Sequence, residues 1–150
     1  MRNAIGFATV AFLACGVATA AALTKEEYQA GKARIAAEYE ADRQKCGADL
    51  GNAAEICVAR ARGARKVARA ELEAAHKPSP RTNYEAAIAR SQAAYAIAKE
   101  ECDAREGGMR KVCVREAAAA QEREKAAASA ARKASSAEPG VAGKPASAPR

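Results

Sequence analysis

The chain has 150 residues and a formal net charge of +7, which allows one small domain with a mild basic bias. About 30% of the positions are alanine, roughly four times the share in a typical globular domain, and tryptophan is absent. So few large apolar side chains exclude a deep core and predict a fold that needs covalent cross-links. With one histidine and no nucleophile or phosphate-loop motif, we expect neither an enzyme nor a cofactor.

Residues 1–22 have the pattern of a signal peptide. Arg2 gives a basic start, an uncharged run follows from Ala4 to Cys15, and Ala18-Thr19-Ala20 resembles a signal peptidase site. Cleavage there would release a periplasmic protein with no stable membrane span. Two alternatives keep the chain at a membrane: an uncleaved anchor formed by residues 4–23, or a lipid attached to Cys15.

An internal repeat organises the rest of the chain. Shifting the sequence by 56 positions brings all its tyrosines, and all its cysteines beyond residue 23, into register: Tyr28 on Tyr84, Tyr39 on Tyr95, Cys46 on Cys102 and Cys57 on Cys113. So many coincidences of rare residues indicate a tandem duplication. The units are predicted to cover 23–76 and 82–132, with a proline-containing linker at 77–81 and a disordered tail at 133–150.

Each unit is predicted to be a helical hairpin, because strong helix formers dominate its composition. Thr24, Asn52 and Thr82 are expected to begin helices, since a glutamate follows each of them three residues later. Gly51 and Gly107-Gly108 have the residue type that ends helices. The expected helices cover about 25–50, 53–76, 83–106 and 109–132. The fold class is therefore all-α, with four helices that could pack as a loose bundle.

The cysteines are expected to form disulfides, because an even number is typical of an exported chain. Tight turns would place Gly31 opposite Leu72 and pair the cysteines within each unit, as Cys46 with Cys57 and Cys102 with Cys113. Each link is expected to contribute about 3 kcal/mol. A metal site is not expected, because structural zinc ligands usually stand two to four residues apart.

A continuous helix through each unit is the alternative geometry. From Tyr28 to Leu72, apolar and cysteine positions recur at alternating spacings of seven and four, an eleven-residue repeat that runs through Gly51-Asn52. Such a helix would favour cross-links between the units, joining Cys46 to Cys113 and Cys57 to Cys102. The glycines at the break favour the hairpin.

A cluster of basic residues is the candidate anion-binding site. It consists of four residues on one face of the second predicted helix, called here the basic face: Arg62, Arg65, Lys66 and Arg69. Such a face can bind the phosphates of lipids or nucleic acid. Glu38 and Asp42 are expected to lie near Arg62 and Arg65, which favours a solvated, partly neutralised surface. The tyrosines are expected to pack on the apolar face, away from the basic residues, so nucleic acid is not an expected partner.

The sequence resembles a group of small exported proteins of Gram-negative bacteria that are labelled TolA-like or cell envelope biogenesis proteins. Four segments within residues 23–116 carry the resemblance: Leu23-Thr24-Lys25-Glu26-Glu27-Tyr28 before Cys46, Gly51-Asn52-Ala53, Ile56-Cys57-Val58 and Lys77-Pro78-Ser79-Pro80. The segment from Ala117 to Lys133 is similar in composition to the long Ala/Lys/Glu helix of TolA. The resemblance implies export but no established activity, and no functional residue carries over.

These observations lead to two functional hypotheses. The first is a non-enzymatic structural or interaction protein of the periplasm, whose partner is another envelope component. The alternative is a binding module for anionic polymers or lipids, acting through the basic face. His76, at a predicted helix end, is expected to interact favourably with the helix C-terminus when protonated.

Overall fold

The computed structural model describes residues 22–137. This part of the chain consists of helices and short turns, with no strand. The long helices are α1 (Lys25–Lys45), α2 (Asn52–His76), α3 (Pro80–Asp103) and α4 (Gly107–Ala137), and a 3₁₀ turn at Cys46–Ala48 follows α1. The predicted all-α fold of two disulfide-linked hairpins is confirmed. The calls on residues 1–21, the signal peptide and Cys15, lie outside the described residues.

Helix α1 begins as its sequence predicts. The Thr24 hydroxyl accepts a hydrogen bond from the Glu27 backbone N–H at 3.2 Å, and the Glu27 carboxylate accepts one from the Thr24 N–H at 2.8 Å. The two bonds satisfy backbone donors that the first turn of a helix leaves free. The pKa of Glu27 is lowered, because the Thr24 backbone N–H and the Thr24 hydroxyl both donate to its charged carboxylate.

Helix α3 begins earlier than predicted. Its N-cap is Ser79, whose hydroxyl accepts from the Thr82 N–H at 3.0 Å, and Pro80 is the first helical residue. The prediction that Thr82 caps this helix was wrong. Proline suits the first turn, where its missing N–H would have no partner and its fixed φ is already helical. Helix α4 runs to Ala137, so residues 133–137 of the predicted tail are helical, and the remainder lies outside the described residues.

Glycine reverses the chain in both units. Gly51 has a φ of 58° and Gly107 a φ of 53°, a region that other residues rarely adopt. The reversals bring the Cα atoms of Cys46 and Cys57 to 5.5 Å and those of Cys102 and Cys113 to 5.6 Å, and both pairs are disulfide-bonded. A continuous helix would hold each pair about 16 Å apart. The hairpin interpretation is confirmed, and the continuous helix with links between units was wrong.

The four helices form a single antiparallel layer. Close backbone approaches join α1 to α2, α2 to α3 and α3 to α4, and within residues 22–137 no other pair of these helices approaches closely. The arrangement is therefore a row with two edge helices, α1 and α4, rather than a closed bundle. Both disulfides lie at one end of the layer, because neighbouring helices alternate in direction.

The buried core is small and consists mainly of alanine. Most of its apolar residues have only a methyl group as side chain. The buried apolar residues are Ile35, Cys46, Ala61, Ala86, Ala89, Ala93, Cys102 and Ala128. Small side chains let the helix backbones approach closely. Close packing of many small groups then takes the place of large apolar side chains in the core. The predicted opposition of Gly31 and Leu72 is confirmed, since a Cβ at Gly31 would lie 2.6 Å from Leu72 Cδ1. In the described region, no helix is long and apolar enough to cross a membrane.

Candidate functional site

The basic face lies on α2, but its four residues do not converge on one point. All four side chains are exposed. The Arg65 guanidinium lies 4.1 Å from the centre of the Tyr39 ring on α1. On the opposite side, Lys66 and Arg69 border a groove between α2 and α3, and Arg62 borders a second groove nearer the disulfide end. The face is thus a broad positive surface and not a closed pocket.

The expected neutralisation of this face by α1 was wrong. Glu38 forms its ion pair with Arg34 at 3.7 Å and Asp42 with Lys45 at 2.8 Å, both within α1. Within residues 22–137, no carboxylate lies within ion-pairing distance of the four basic residues. Charged side chains one turn apart on a helix are neighbours by geometry. Arg34 and Lys45 therefore bind these carboxylates in preference to arginines on α2. The basic face keeps its positive charge.

Other arginines form the charged links between the hairpins. Arg60 on α2 pairs with Glu101 on α3, and Arg90 on α3 pairs with Glu71 on α2, both at 2.7 Å. All four side chains are largely exposed, so each pair contributes little to stability. Arg60 belongs to the same run of the sequence as the basic face, but its charge is neutralised.

The tyrosines are half-buried, as their predicted packing role requires. The expectation that they lie apart from the basic face was wrong for Tyr39, because Arg65 lies over its ring. Two cations outside the basic face lie over other rings, Lys32 over Tyr28 and Arg132 over Tyr84. Such contacts are favourable because the ring face is negative. The chain therefore covers these ring faces with its own cations.

A polar cluster that the sequence interpretation missed joins the start of α1 to the end of α2. The Tyr28 hydroxyl donates to a Glu73 carboxylate oxygen at 2.7 Å, and the Tyr28 ring stacks on His76 with centroids 4.4 Å apart. His76 Nδ1 also lies 2.8 Å from the Leu23 carbonyl oxygen. His76 is thus part of a tertiary contact and not only a helix-end charge. The repeat offers a signal for this cluster, since Tyr28 and His76 correspond to Tyr84 and Arg132, and the Arg132 guanidinium lies over the Tyr84 ring.

The hydrogen bond between Tyr28 and Glu73 shifts the pKa values of both side chains. It raises the pKa of Tyr28 and lowers the pKa of Glu73, because it favours the neutral phenol and the charged carboxylate. Lys77 adds to the effect on Glu73 through a hydrogen bond and its charge. The cluster ties the first residues of α1 to the last turn of α2, where Leu23 N–H also donates to the Ala75 carbonyl at 3.0 Å.

The predicted site residues thus fall into two sets. The four cysteines form two disulfides, and the basic face is solvent-exposed. Over residues 22–137, no group of three or more histidine, cysteine or acidic side chains has a metal-binding arrangement. Comparison with protein-family models, with curated proteins and with solved structures found no match for this chain.

Proposed function

We propose that this chain is an exported, non-enzymatic structural or protein-interaction component of the bacterial cell envelope, acting in the periplasm. The open layer supports this proposal most directly. Among the helices of residues 22–137, the edge helices α1 and α4 each pack on one neighbour, which leaves a long helix face of each exposed. Two disulfides hold the hairpins in shape, and such links persist in oxidising compartments such as the periplasm.

The test is site-specific photo-cross-linking in intact Gram-negative cells that express the chain with its own N-terminal segment. Photoreactive residues at Ala37 on α1 and Ala119 on α4 probe the two exposed edges. Ala94, exposed on the central helix α3, is the matched control. We expect edge-specific adducts with an envelope protein in the periplasmic fraction. Retention of the chain in the cytoplasm, or equal adducts from all three positions, would contradict the proposal.

A second candidate function is binding of anionic lipids or polymers through the basic face. The lack of ion-pair partners for its four residues within residues 22–137 favours this candidate. Positive charge without an ion-pair partner attracts phosphates, and this attraction weakens steeply with salt. Contacts between apolar helix faces lack that steep dependence, so salt separates the two functions.

Changing Arg62, Arg65 and Arg69 together to glutamine tests the second candidate with phosphatidylglycerol vesicles and with DNA. A matched control removes the same charge from three paired arginines, Arg60, Arg90 and Arg110. We expect the basic-face variant to lose affinity at low salt, while the control retains most of it. Equal binding by the two variants would eliminate the second candidate.

A further inference from the structure

The α2–α3 interface shows how one repeat unit packs on the next. A Cβ at Gly63 of α2 would lie 3.1 Å from the Ala93 Cβ of α3, so the two backbones approach closely. Ala86, Ala89 and Ala93 on this part of α3 are buried. At its margin, Arg60 pairs with Glu101 at 2.7 Å. A strip of small residues, flanked by this pair and by the Arg90–Glu71 pair, therefore joins the hairpins.

The repeat places a copy of this buried strip on α1, where no helix within residues 22–137 covers it. Helix α1 corresponds to α3 at the offset of 56 positions, so the buried alanines of α3 correspond to exposed alanines of α1: Ala30, Ala33 and Ala37. The chain thus retains on its first helix a small-residue face that, in the second unit, packs against a helix.

Helix α4 carries the opposing face. It corresponds to α2, and Ala119 and Ala126 occupy the positions of Gly63 and Ala70. Both alanines are exposed on α4, whereas Gly63 is buried and Ala70 is half-buried against α3. Nearby, Val112 is 43% exposed. The two edges of the layer therefore present the two halves of one interface.

One of the two charged pairs of the α2–α3 interface has a complementary counterpart at these edges, whereas Arg90 and Glu71 correspond to Arg34 and Ala127 and lose their pair. The positions of Arg60 and Glu101 correspond to Glu116 on α4 and Lys45 on α1, so both signs are reversed and attraction is retained. Seven residues further along α4 and seven earlier on α1, Arg123 would face Glu38. Within residues 22–137, Glu116 and Arg123 form no ion pair, and Lys45 and Glu38 pair only within their own helix.

We propose that copies of this chain associate head to tail, with α4 of one copy packed on α1 of the next as α2 packs on α3. A contact between two different faces leaves a free face at each end, so it builds open chains or rings instead of symmetric dimers. The association is weaker than the internal interface, because Ala119 replaces Gly63 and Gly108 replaces Asn52, which donates to the Glu100 carbonyl at 2.8 Å.

This proposal names one partner for the proposed interaction function, a second copy of the chain. The biological role of this self-association rests on the proposed interaction function, whereas the association itself does not. Purified protein with both disulfides formed suffices to test it, so its failure would leave an unrelated envelope partner open.

Variants with one added cysteine, and with both disulfides intact, test the direction of the contact. Ala37→Cys and Ala119→Cys place thiols at the positions that correspond to Ala93 and Gly63. With a short thiol-specific cross-linker, we expect linked dimers from an equal mixture of the two variants and none from either alone. A mixture of Ala94→Cys with Ala119→Cys is the control and should give none. Cross-linking of one variant with itself would indicate a symmetric contact, and that result, or no cross-linking at all, would overturn the proposal.

Charge reversal tests the register, with sedimentation velocity at low salt as the readout. Lys45→Glu and Glu116→Lys should each weaken self-association about fivefold or more. Both changes in one chain, or an equal mixture of the two single variants, should restore association, since every contact then regains an attractive pair. Circular dichroism controls for helix loss near Asp42, the present partner of Lys45. Failure of both restorations, or unchanged association of the single variants, would contradict this register.

Discussion

The two hairpins share their cysteines, tyrosines and turn glycines but fill the space between their helices differently. In the first, Gly31 faces the large side chain of Leu72. The corresponding positions in the second hold Ala87 and Ala128, two small residues. The second pair has two side-chain carbons where the first has four, so the second hairpin fills this site with less volume. The comparison teaches that the disulfide and the turn set the register of the two helices. The two side chains that face each other between the helices can change together without altering that register.

The stacking partners of the tyrosines show the same pattern. Tyr28 stacks on His76 in the first hairpin, and Arg132 lies 4.4 Å from the centre of the Tyr84 ring in the second. His76 and Arg132 correspond at the repeat offset. Each is a planar side chain that can cover a ring face, so the contact survives a change of residue type.

Removing one disulfide should have the largest effect on stability. Changing Cys46 and Cys57 to alanine, or Cys102 and Cys113, should lower the free energy of unfolding by about 3 kcal/mol in either case, because both links close loops of the same length. The sequence separation is 11 in both pairs. Urea unfolding measures the loss. Clearly unequal losses would show that the different filling, and not loop closure alone, sets the contribution of each link.

Adding a side chain at Gly31, against Leu72, should have an intermediate effect on stability. Gly31→Val should cost about 2 kcal/mol, because its Cβ would clash with the Leu72 side chain. Ala36→Val, at an exposed site on the same helix, gives the cost of a valine without a clash and should cost about 0.5 kcal/mol. In a Leu72→Ala background the cost at Gly31 should largely disappear, as the second hairpin's alanine pair suggests. A cost that persists in that background would mean that the backbone, not Leu72, restricts this site.

The Tyr28–Glu73 hydrogen bond should give the smallest effect, visible as pH dependence. The lowered pKa of Glu73 means that its stabilisation is present above the unfolded pKa, near 4.5, and is lost as the pH falls through the folded pKa. Tyr28→Phe should therefore reduce the loss of stability between about pH 6 and pH 3. Tyr84→Phe is the control, because Ser129 replaces Glu73 at the repeat offset. Urea unfolding at several pH values measures the free energy of unfolding as a function of pH. If both variants kept the pH dependence of the wild type, the Tyr28–Glu73 hydrogen bond would not be its origin.

Some features were predicted wrongly although their signals are local in the sequence. Thr82 and Ser79 can both cap a helix, and Pro80 decides for Ser79 because proline fits the first turn. Asn52 was expected to begin a helix as its cap, yet its side chain donates to the Glu100 carbonyl on α3. The first error came from two competing local signals, whereas the second came from a contact that no local signal contains.

The sequence by itself determined the helices, the hairpins and the disulfide pairs. These depend on capping groups, glycine turns and cysteines 11 residues apart, so the interactions that specify them are short-range along the chain. Only the tertiary structure decided that the hairpins form an open row, that Glu101 neutralises Arg60, and that the basic face keeps its charge. These depend on which helix faces meet, and the close approach of Gly63 to Ala93 selects those faces from many alanine-rich alternatives of similar composition.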